Sequence, residues 1–235
     1  MIGEPRLHEA SCASTQAILI DRAHDLPEGA VATADHQTAG RGRLDRSWQD
    51  APGTSILCSI LLRPPPGHPF PELSLVAAVA TAEAVESHTG LEAQIKWPND
   101  VLVQGRKVAG ILAEARGEVV VLGIGVNVNQ TAEQLPPVTR RPPGSLRLAT
   151  GREHDRETVL ATLFDRLSEL YDAWREHGLE AIHDGLSARN MLFGRPLRVG
   201  EVAGTGGAIA LDGRLEVMTP AGPTLVESGE VEVGP

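Results

Sequence analysis

Residues 37–48, with the sequence QTAGRGRLDRSW, carry side chains suited to chemistry on a small anion. Arginine presents a planar fork of donors that fits carboxylate and phosphate oxygens, and glycine lets the backbone approach a ligand closely. The stretch has no apolar periodicity, which predicts a mobile basic loop instead of a buried helix or strand. A solvated turn is the alternative when the stretch is considered alone. The residues that carry the prediction are Arg41, Arg43, Arg46, Gly40 and Gly42.

Two nucleotide-binding motifs do not fit this loop. It has no GK[ST] ending, which excludes a Walker A loop. A dinucleotide fingerprint beginning at Gly40 would need its third glycine where Asp45 stands. The loop therefore indicates an anionic ligand and no particular nucleotide.

Lysine is rare in this chain, since Lys96 and Lys107 are the only lysines among 21 basic residues. Lysine supplies a compact point charge, whereas arginine supplies a planar fork. Two lysines so close together, in a chain that otherwise uses arginine, indicate a place that needs a point charge. Chance clustering is the alternative.

The composition favours a globular enzyme-sized protein: 235 residues can form one full core with a small appendage, or a single large domain. A net charge of -10 argues against a general nucleic-acid or membrane-surface protein, because those usually carry a basic face. Cys12 and Cys58 lack the spacing of a disulfide framework or metal site, which indicates a reducing compartment. We find no signal peptide and no apolar stretch of about 20 residues. We therefore expect a cytoplasmic protein.

Elements on both sides of the loop would hold it in place. Residues 30–35 predict a short strand that enters the loop, and residues 54–63 predict a buried strand that leaves it. Upstream, Ser14 or Thr15 suits the N-cap of a helix over the run AILIDRAH. Because a helix N-terminus also presents free N–H groups, the same residues could hold a polar ligand.

Three further strands carry glycine or turn positions. Residues 94–103 predict two strands joined by a turn, with Pro98 interrupting the apolar pattern. A third strand starts at Lys107, and its Gly110 permits close approach of a ligand or a neighbouring backbone. Residues 119–128 predict an apolar strand with glycines near its end, although glycine within a strand can equally mark a bulge. The turn and strand-end positions are Asn99, Asp100, Gly123, Gly125 and Asn127.

The remaining sequence predicts packing elements. Apolar spacing indicates core helices over residues 72–88 and 159–174, followed by a shorter helix that ends near Arg189. Residues 131–150 contain four prolines and predict an irregular crossing. After Asn190, short alternating runs punctuated by glycine predict a small all-β module.

Taken together, these motifs resemble the biotin protein ligases of the monofunctional type, which lack an N-terminal DNA-binding domain. The GRGR loop, the KWPND turn, the lysine before AGIL and the GIGVNV strand occur in the family's order over nearly the whole chain. A C-terminal stretch beginning GRPLRV resembles the family's small SH3-like barrel. The chain has Gln16 where the family often has asparagine, and Leu44-Asp45 where it often has a glycine or another small residue.

The resemblance implies a two-step ligase. Biotin and ATP, with Mg²⁺, would give biotinyl adenylate and pyrophosphate, and the adenylate would acylate a lysine on the biotin carboxyl carrier domain of a biotin-dependent carboxylase. Fixed cations suit the first step, because two anionic charges at about 4 Å repel by about 1 kcal/mol in water and about 4 kcal/mol at an effective dielectric of about 20. By the resemblance, Lys107 and Arg43 are catalytic, and the enzyme needs no nucleophile of its own.

The resemblance also assigns binding roles. The implied biotin-binding residues are Ser14, Thr15, Gln16, Gln37, Gly40, Arg41, Gly42, Arg43, Trp48, Lys107, Gly123 and Gly125. The implied ATP- or adenylate-binding residues are Arg43, Trp48, Lys96, Asn99, Asp100 and Asn127. A ligand role for Lys96 competes with that of a plain strand lysine whose charged end reaches solvent. No metal ligand is assigned and no site residue follows Asn127, so a chain without residues 191–235 is expected to keep biotin binding.

The fold that the resemblance implies is α+β. A mixed, largely antiparallel sheet with helices on one side would form a catalytic biotin- and ATP-binding domain over residues 1–190. Residues 191–235 would form a small C-terminal SH3-like β-barrel.

Two alternatives stay open on the sequence alone. A lipoate-protein ligase shares the catalytic fold and the adenylating chemistry, but the GRGR loop together with KWPND favours biotin. A non-catalytic biotin-binding regulator such as a repressor would need a basic helix-turn-helix, and the 13 residues before Ser14 are too few for one. We therefore expect no nucleic-acid or membrane partner. The sequence leaves open the oligomeric state and the identity of the carrier protein.

Overall fold

The computed structural model describes residues 2–137 and 142–234 of the chain. Its strands are, in chain order, β1 (Arg6–Glu9), β2 (Val31–Ala34), β3 (Gly40–Arg41), β4 (Ser47–Trp48), β5 (Ser55–Leu62), β6 (Ala93–Lys96), β7 (Asp100–Val103), β8 (Arg106–Arg116), β9 (Val119–Asn127), β10 (Pro196–Val199), β11 (Val202–Ile209), β12 (Leu215–Thr219), β13 (Gly222–Val226) and β14 (Val231–Val233). Its α-helices are α1 (Thr15–Asp21), α2 (Glu72–Thr89), α3 (Leu146–Thr150), α4 (Arg156–His177) and α5 (His183–Ala188). No helix in this part of the chain has the length and hydropathy of a membrane span.

Seven of the strands form one sheet in the order β1-β2-β5-β9-β8-β7-β6. β1 and β2 run parallel, and the other neighbouring pairs are antiparallel. The inner strand β5, between β2 and β9, is buried along its whole length, because its residues SILCSILL are covered on both faces of the sheet. The sheet confirms the predicted mixed, largely antiparallel architecture.

The two faces of this sheet carry different helices. Side chains alternate along a strand, so Ile60 and Leu61 of β5 point to opposite faces. Ile60 belongs to the large core that includes α2 and α4, where Trp174 Nε1 donates to the Glu72 carboxylate at 2.7 Å. Leu61 packs with Leu19 of α1 in a separate, smaller cluster. The long helices therefore lie on one side, as expected, while the short α1 lies on the other side.

The last five strands form an antiparallel sheet in the order β13-β12-β11-β10-β14. This sheet is the all-β module predicted after Asn190. Its edge strands β13 and β14 do not pair with each other in the described residues, so strand pairing does not close the sheet into the expected barrel. Ile95 of β6 and Leu197 of β10 belong to one hydrophobic cluster, which joins the two sheets. A division into domains at residues 190 and 191 stays a prediction.

Two stretches differ from the sequence-based expectation. Residues 37–48, here named the basic hairpin, are not irregular throughout, because β3 and β4 pair as a short antiparallel ladder with Gly40 opposite Trp48. The irregular crossing expected over residues 131–150 contains the short helix α3. Residues 138–141 of that crossing lie outside the described residues.

Candidate ligand-binding site

Most residues predicted for the ligand site line one cavity of about 150 Å³, here named the inner pocket. Its walls come from the start of α1, the basic hairpin, the turn between β6 and β7, and strands β8 and β9. Antiparallel pairing of β8 with β9 and of β7 with β8 brings these distant segments together. The predicted residues that line the inner pocket are Ser14, Thr15, Gln16, Gln37, Arg41, Gly42, Arg43, Trp48, Lys96, Asn99, Asp100, Lys107, Gly123 and Gly125.

A second cavity of about 670 Å³ adjoins the first and is here named the outer pocket. Asn127, predicted to lie near the adenylate, lines the outer pocket and not the inner one. Trp48, Lys96, Asp100 and Lys107 line both pockets. Ligands in the two pockets would therefore meet beside the same lysine side chains.

Gly40 lines neither pocket. A Cβ atom at this position would lie 2.6 Å from the carbonyl oxygen of Trp48, so the close pairing of β3 with β4 requires glycine there. The structure thus gives Gly40 a role in the hairpin, and the contact with biotin that the resemblance implied stays a prediction.

A buried polar network forms one wall of the inner pocket. Gln37 Oε1 accepts hydrogen bonds from the backbone N–H of Thr15 at 2.8 Å and from Thr15 Oγ1 at 3.1 Å. Thr15 Oγ1 also lies 2.7 Å from Ser59 Oγ. Because the oxygen of the Gln37 amide faces Thr15, its Nε2 group remains as a donor for a ligand. The sequence interpretation missed Ser59, although a serine within a fully buried apolar strand indicates a polar partner.

Gln16 is 4% exposed and lies against Gly123. Its Nε2 donates to the carbonyl of Leu112 at 3.1 Å and to that of Val121 at 3.4 Å. A Cβ atom on Gly123 would lie only 2.9 Å from Gln16 Cδ, so any larger residue at position 123 would clash with the Gln16 side chain. Gln16 therefore ties α1 to β8 and β9 in the pocket wall.

Ser14 occupies the predicted N-cap position of α1, with an extended backbone. Its side chain makes no capping hydrogen bond, which corrects the expectation that this hydroxyl caps the helix. The backbone N–H of Thr15 bonds to Gln37 instead. The Ser14 hydroxyl lies at the inner pocket, where it can serve a ligand.

The indole of Trp48 lies against two glycines. Gly110 and Gly125 are opposite each other in β8 and β9. Cβ atoms on them would lie 3.0 Å and 2.7 Å from the ring, so both positions accommodate the indole by being glycine. Trp48 Nε1 is buried and has no hydrogen-bond partner among the described residues. The bare backbone predicted for these strands is therefore covered by this tryptophan.

Lys107 lies where the two pockets meet. Its Nζ is 2.6 Å from Asp100 Oδ1 and 5.8 Å from the centre of a Trp48 ring. Its backbone N–H donates to the carbonyl of Pro142, and its carbonyl accepts from the N–H of Gly144. Both the backbone and the side chain of the lysine are thus held by neighbours.

Arg43 is half-buried, whereas Arg41 and Arg46 are exposed. Arg43 Nη1 lies 3.4 Å from Asn99 Oδ1 in the turn between β6 and β7. Burial lowers the pKa of Arg43, and the charge of Asp100 acts in the opposite direction. Because an arginine guanidinium stays protonated in proteins, Arg43 brings a permanent positive charge to the inner pocket.

The other two arginines tie the basic hairpin to its surroundings. Arg41 forms an ion pair with Glu114 of β8, and Arg46 forms one with Glu230 near the end of the chain. The hydrogen bond to Glu230 raises the pKa of Arg46. Exposed pairs of this kind stabilise a protein by only about 0–1 kcal/mol each. These two ion pairs therefore add little to the attachment of the hairpin, whose Trp48 packs against Gly110 and Gly125.

The C-terminal sheet contributes to the site, which the sequence-based assignment did not anticipate. Residues 229–231 line the inner pocket. Trp97, which follows Lys96, is 2% exposed, and its Nε1 donates to the carbonyl of Gly213 between β11 and β12 at 2.8 Å. The C-terminal sheet therefore lines the pocket and also holds the turn beside Lys96.

Within residues 2–137 and 142–234, no group of three or more His, Cys, Asp or Glu side chains is placed to hold a metal ion. Asp100 lines both pockets, but its carboxylate is paired with Lys107.

An α+β fold with two adjoining pockets and a lysine common to both is suited to bringing two ligands together. A sequence profile described as the Biotin/lipoate A/B protein ligase family matches residues 10–130, which is more than half of the chain. The chain belongs to the biotin/lipoate A/B protein ligase family.

Individual relatives resemble the chain over nearly its full length. The biotin-[acetyl-CoA-carboxylase] ligase of Paracoccus denitrificans is 35% identical over 240 residues, which cover 94% of this chain and 97% of the relative. The bifunctional ligase/repressor BirA of Bacillus spizizenii is 34% identical over 245 residues, which cover 100% of this chain and 75% of the relative. The solved structure of the biotin protein ligase from Aquifex aeolicus in complex with biotin and ATP superposes with a TM-score of 0.89 at 29% identity and covers 99% of both chains.

Proposed function

We propose that this protein is a biotin-[acetyl-CoA-carboxylase] ligase. It activates biotin with ATP to biotinyl adenylate and transfers the biotinyl group to a lysine of a biotin carboxyl carrier domain. The observation that carries the proposal is the position of Lys107, which lines both pockets beside Trp48 and Asp100. The names of the Paracoccus relative and of the Aquifex complex support it.

The inner pocket suits biotin. The ureido ring of biotin carries both hydrogen-bond donors and an acceptor, so it needs polar partners in the pocket wall. The network of Thr15, Ser59 and Gln37 places polar groups in that wall. The Nε2 group of Gln37 and the Ser14 hydroxyl supply such groups on the pocket side. The outer pocket, several times larger and lined by Asn127, suits ATP.

Biotin is favoured over lipoate by this same polar wall. The ring of lipoate is a dithiolane with no N–H donor and no carbonyl acceptor, so it would leave the Nε2 donor of Gln37 without a partner. Leaving buried polar groups unpaired costs about 1–3 kcal/mol each. The wall therefore discriminates between the two acids whose ligases share this family.

In the first step a biotin carboxylate oxygen bonds to the α-phosphorus of ATP, and the bond from that phosphorus to the bridging oxygen breaks to release pyrophosphate. Negative charge gathers where Lys107 and Arg43 bring fixed positive charge. Their role is electrostatic, because preorganised charges stabilise a transition state without reorganisation. Before biotin binds, the Asp100 carboxylate pairs with the Lys107 ammonium group. The biotin carboxylate would therefore compete with Asp100 for that group.

In the second step the amine of the carrier lysine attacks the acyl carbon of the adenylate. The C–N bond forms, the bond from the acyl carbon to the phosphate oxygen breaks, AMP leaves, and the amine loses a proton. The basic hairpin lies over the inner pocket and would have to admit the carrier lysine. Such a cover also keeps water from an activated anhydride between the two steps.

Magnesium would enter with ATP. Mg²⁺ in nucleotide sites is usually held by one or two carboxylates together with the phosphates of the substrate. Asp100 and Glu230 line both pockets and could supply such carboxylates. When bound, the ion would lower the charge repulsion between biotin and the triphosphate.

Mass spectrometry of a biotin carboxyl carrier domain tests the proposal. The carrier is incubated with the protein, MgATP and either biotin or lipoate. We expect one biotinyl addition with biotin and none with lipoate. A lipoyl addition would make the protein a lipoate ligase, and no addition with either acid would reject ligase activity on this carrier.

A further inference from the structure

Asp50, two residues beyond the basic hairpin, is a buried carboxylate. Its side chain has 0% exposure. Its Oδ2 lies 2.9 Å from His36 Nδ1, and its Oδ1 accepts the backbone N–H of Gln37 at 3.3 Å. Because a carboxylate only accepts, the His36 contact is a hydrogen bond when Nδ1 carries a proton. One side chain thus joins the segment that enters the hairpin to the segment that leaves it.

The residue that Asp50 holds by its backbone also belongs to the inner pocket. The side chain of Gln37 bonds to Thr15, and its remaining amide group faces the space assigned to biotin. The backbone beside Gln37 is bonded on its other side, where Thr38 N–H donates to Cys12 at 2.9 Å. Gln37 is therefore placed by Asp50 from one direction and by the segment before α1 from the other.

We propose that Asp50 is a positioning residue for biotin recognition. It fixes the backbone of Gln37, and through it the direction of the Gln37 amide, while touching no substrate itself. The inference rests on the proposed function of the inner pocket. It assigns a role to a residue outside that pocket.

The choice of a carboxylate has a physical reason. Two donors, His36 Nδ1 and the Gln37 N–H, converge on one buried point, and a carboxylate can accept from both with separate oxygens. Without it the Gln37 N–H would lose its partner where the side chain of Asp50 now excludes water. The backbone would move to regain a partner, because an unpaired buried donor is costly. That movement would misplace the Gln37 amide, whereas Lys107 lies on β8 and keeps its own contacts with Asp100 and Pro142.

Steady-state kinetics of adenylate formation, followed by pyrophosphate release with biotin and MgATP, tests this inference. For Asp50→Ala we expect the KM for biotin to rise about ten-fold, the size of change that accompanies loss of one hydrogen bond to a buried donor, with kcat nearly unchanged. Asp50→Asn keeps one acceptor for Gln37 and should restore the KM to near the parental value. Asp35→Asn is the matched control, because Asp35 bonds to Arg156 and has no side-chain contact with Gln37 among the described residues.

The outcomes separate this inference from the proposed function. Parental protein that makes no adenylate from biotin would reject the proposed function. Parental activity together with an unchanged KM in Asp50→Ala would overturn the role of Asp50, as would an equal rise in Asp35→Asn. If Asp50→Ala does not fold, Asp50→Leu replaces it, since leucine has nearly the size and shape of aspartate but offers no acceptor to either donor. Failure of both variants to fold would also overturn the inference, because Asp50 would then be required by the fold.

Discussion

Lys107 is the residue whose charge the first step needs most, because it reaches both pockets and is held between Asp100 and Trp48. We expect Lys107→Met to slow adenylate formation about 10²- to 10³-fold, as the loss of one preorganised charge contact does in other enzymes. Pyrophosphate release measures the rate. Arg198→Met, which removes a positive charge from the exposed side of β10, is the control and should be near parental. A folded Lys107→Met protein with parental rate would remove Lys107 from the mechanism.

Lys96 also lines both pockets, which favours a ligand role over that of a plain strand lysine. It lies at the end of β6, and Lys107 Nζ lies beside the Trp48 ring that packs on Gly110 and Gly125. We therefore expect Lys96→Met to reduce pyrophosphate release less than Lys107→Met does. The opposite order would show that the two lysines have exchanged roles.

At the scale of single elements, the basic hairpin combines a required backbone geometry with weak side-chain attachment. Gly40 permits the close pairing of β3 with β4. The ion pairs of Arg41 and Arg46 are exposed and stabilise the closed position by only about 0–1 kcal/mol each. Breaking these pairs therefore costs little, whereas opening must also lift Trp48 from Gly110 and Gly125, and the mobility expected from the sequence stays a prediction.

Limited proteolysis tests that mobility. Arg41, Arg43 and Arg46 are trypsin sites when the hairpin opens, and a bound anion adds contacts that favour the closed state. We expect trypsin to cut unliganded protein within residues 41–47 and to cut there more slowly when biotin and ATP are present. Cleavage after Arg116, at the exposed turn between β8 and β9, is the internal control and should not change. Equal cutting of the hairpin with and without ligands would mean that ligands do not close it.

Local signals made part of this site predictable. Glycine, proline and arginine constrain the backbone conformation and the charge of the segment in which they lie. The hairpin and the strands with Gly110 and Gly125 could therefore be identified from the sequence. Ser59 and Glu230 could not be assigned to the site, because their partners are distant in the sequence. Ser59 contacts Thr15, 44 residues away, and Glu230 pairs with Arg46 of the basic hairpin. Such contacts follow from how sheets pack and leave no periodic pattern in the sequence.

At the scale of the whole molecule, the C-terminal sheet forms part of the site, which changes the expected effect of deleting residues 191–235. Its apolar side chains share a hydrophobic cluster with the main sheet, and residues 229–231 line the inner pocket. Removing residues 191–235 would expose that cluster and open the pocket wall. We now expect such a truncation to lose biotin binding together with stability, so a truncation cannot separate the two effects.

A pair of point substitutions can separate them. Trp97 and Trp174 are both buried, and each donates its Nε1 to one acceptor. Trp97 bonds to Gly213 of the C-terminal sheet and adjoins Lys96, whereas Trp174 bonds to Glu72 between α2 and α4. Replacing Trp174 by phenylalanine leaves the buried Glu72 carboxylate without this donor, and replacing Trp97 leaves the part-buried Gly213 carbonyl unpaired. Each change should cost about 1–3 kcal/mol of unfolding free energy.

The functional effects of these two substitutions should differ. Trp97→Phe releases the turn that carries Lys96 and Asn99 from the C-terminal sheet, so we expect a lower kcat/KM for adenylate formation as well as a lower Tm. Trp174→Phe should lower the Tm by a similar or larger amount, because it leaves a buried carboxylate unpaired, while kcat/KM stays near parental. Thermal unfolding and pyrophosphate release on the same preparations measure both quantities. If Trp97→Phe lowered only the Tm, the C-terminal sheet would support the fold of the turn without positioning its ligand-binding residues.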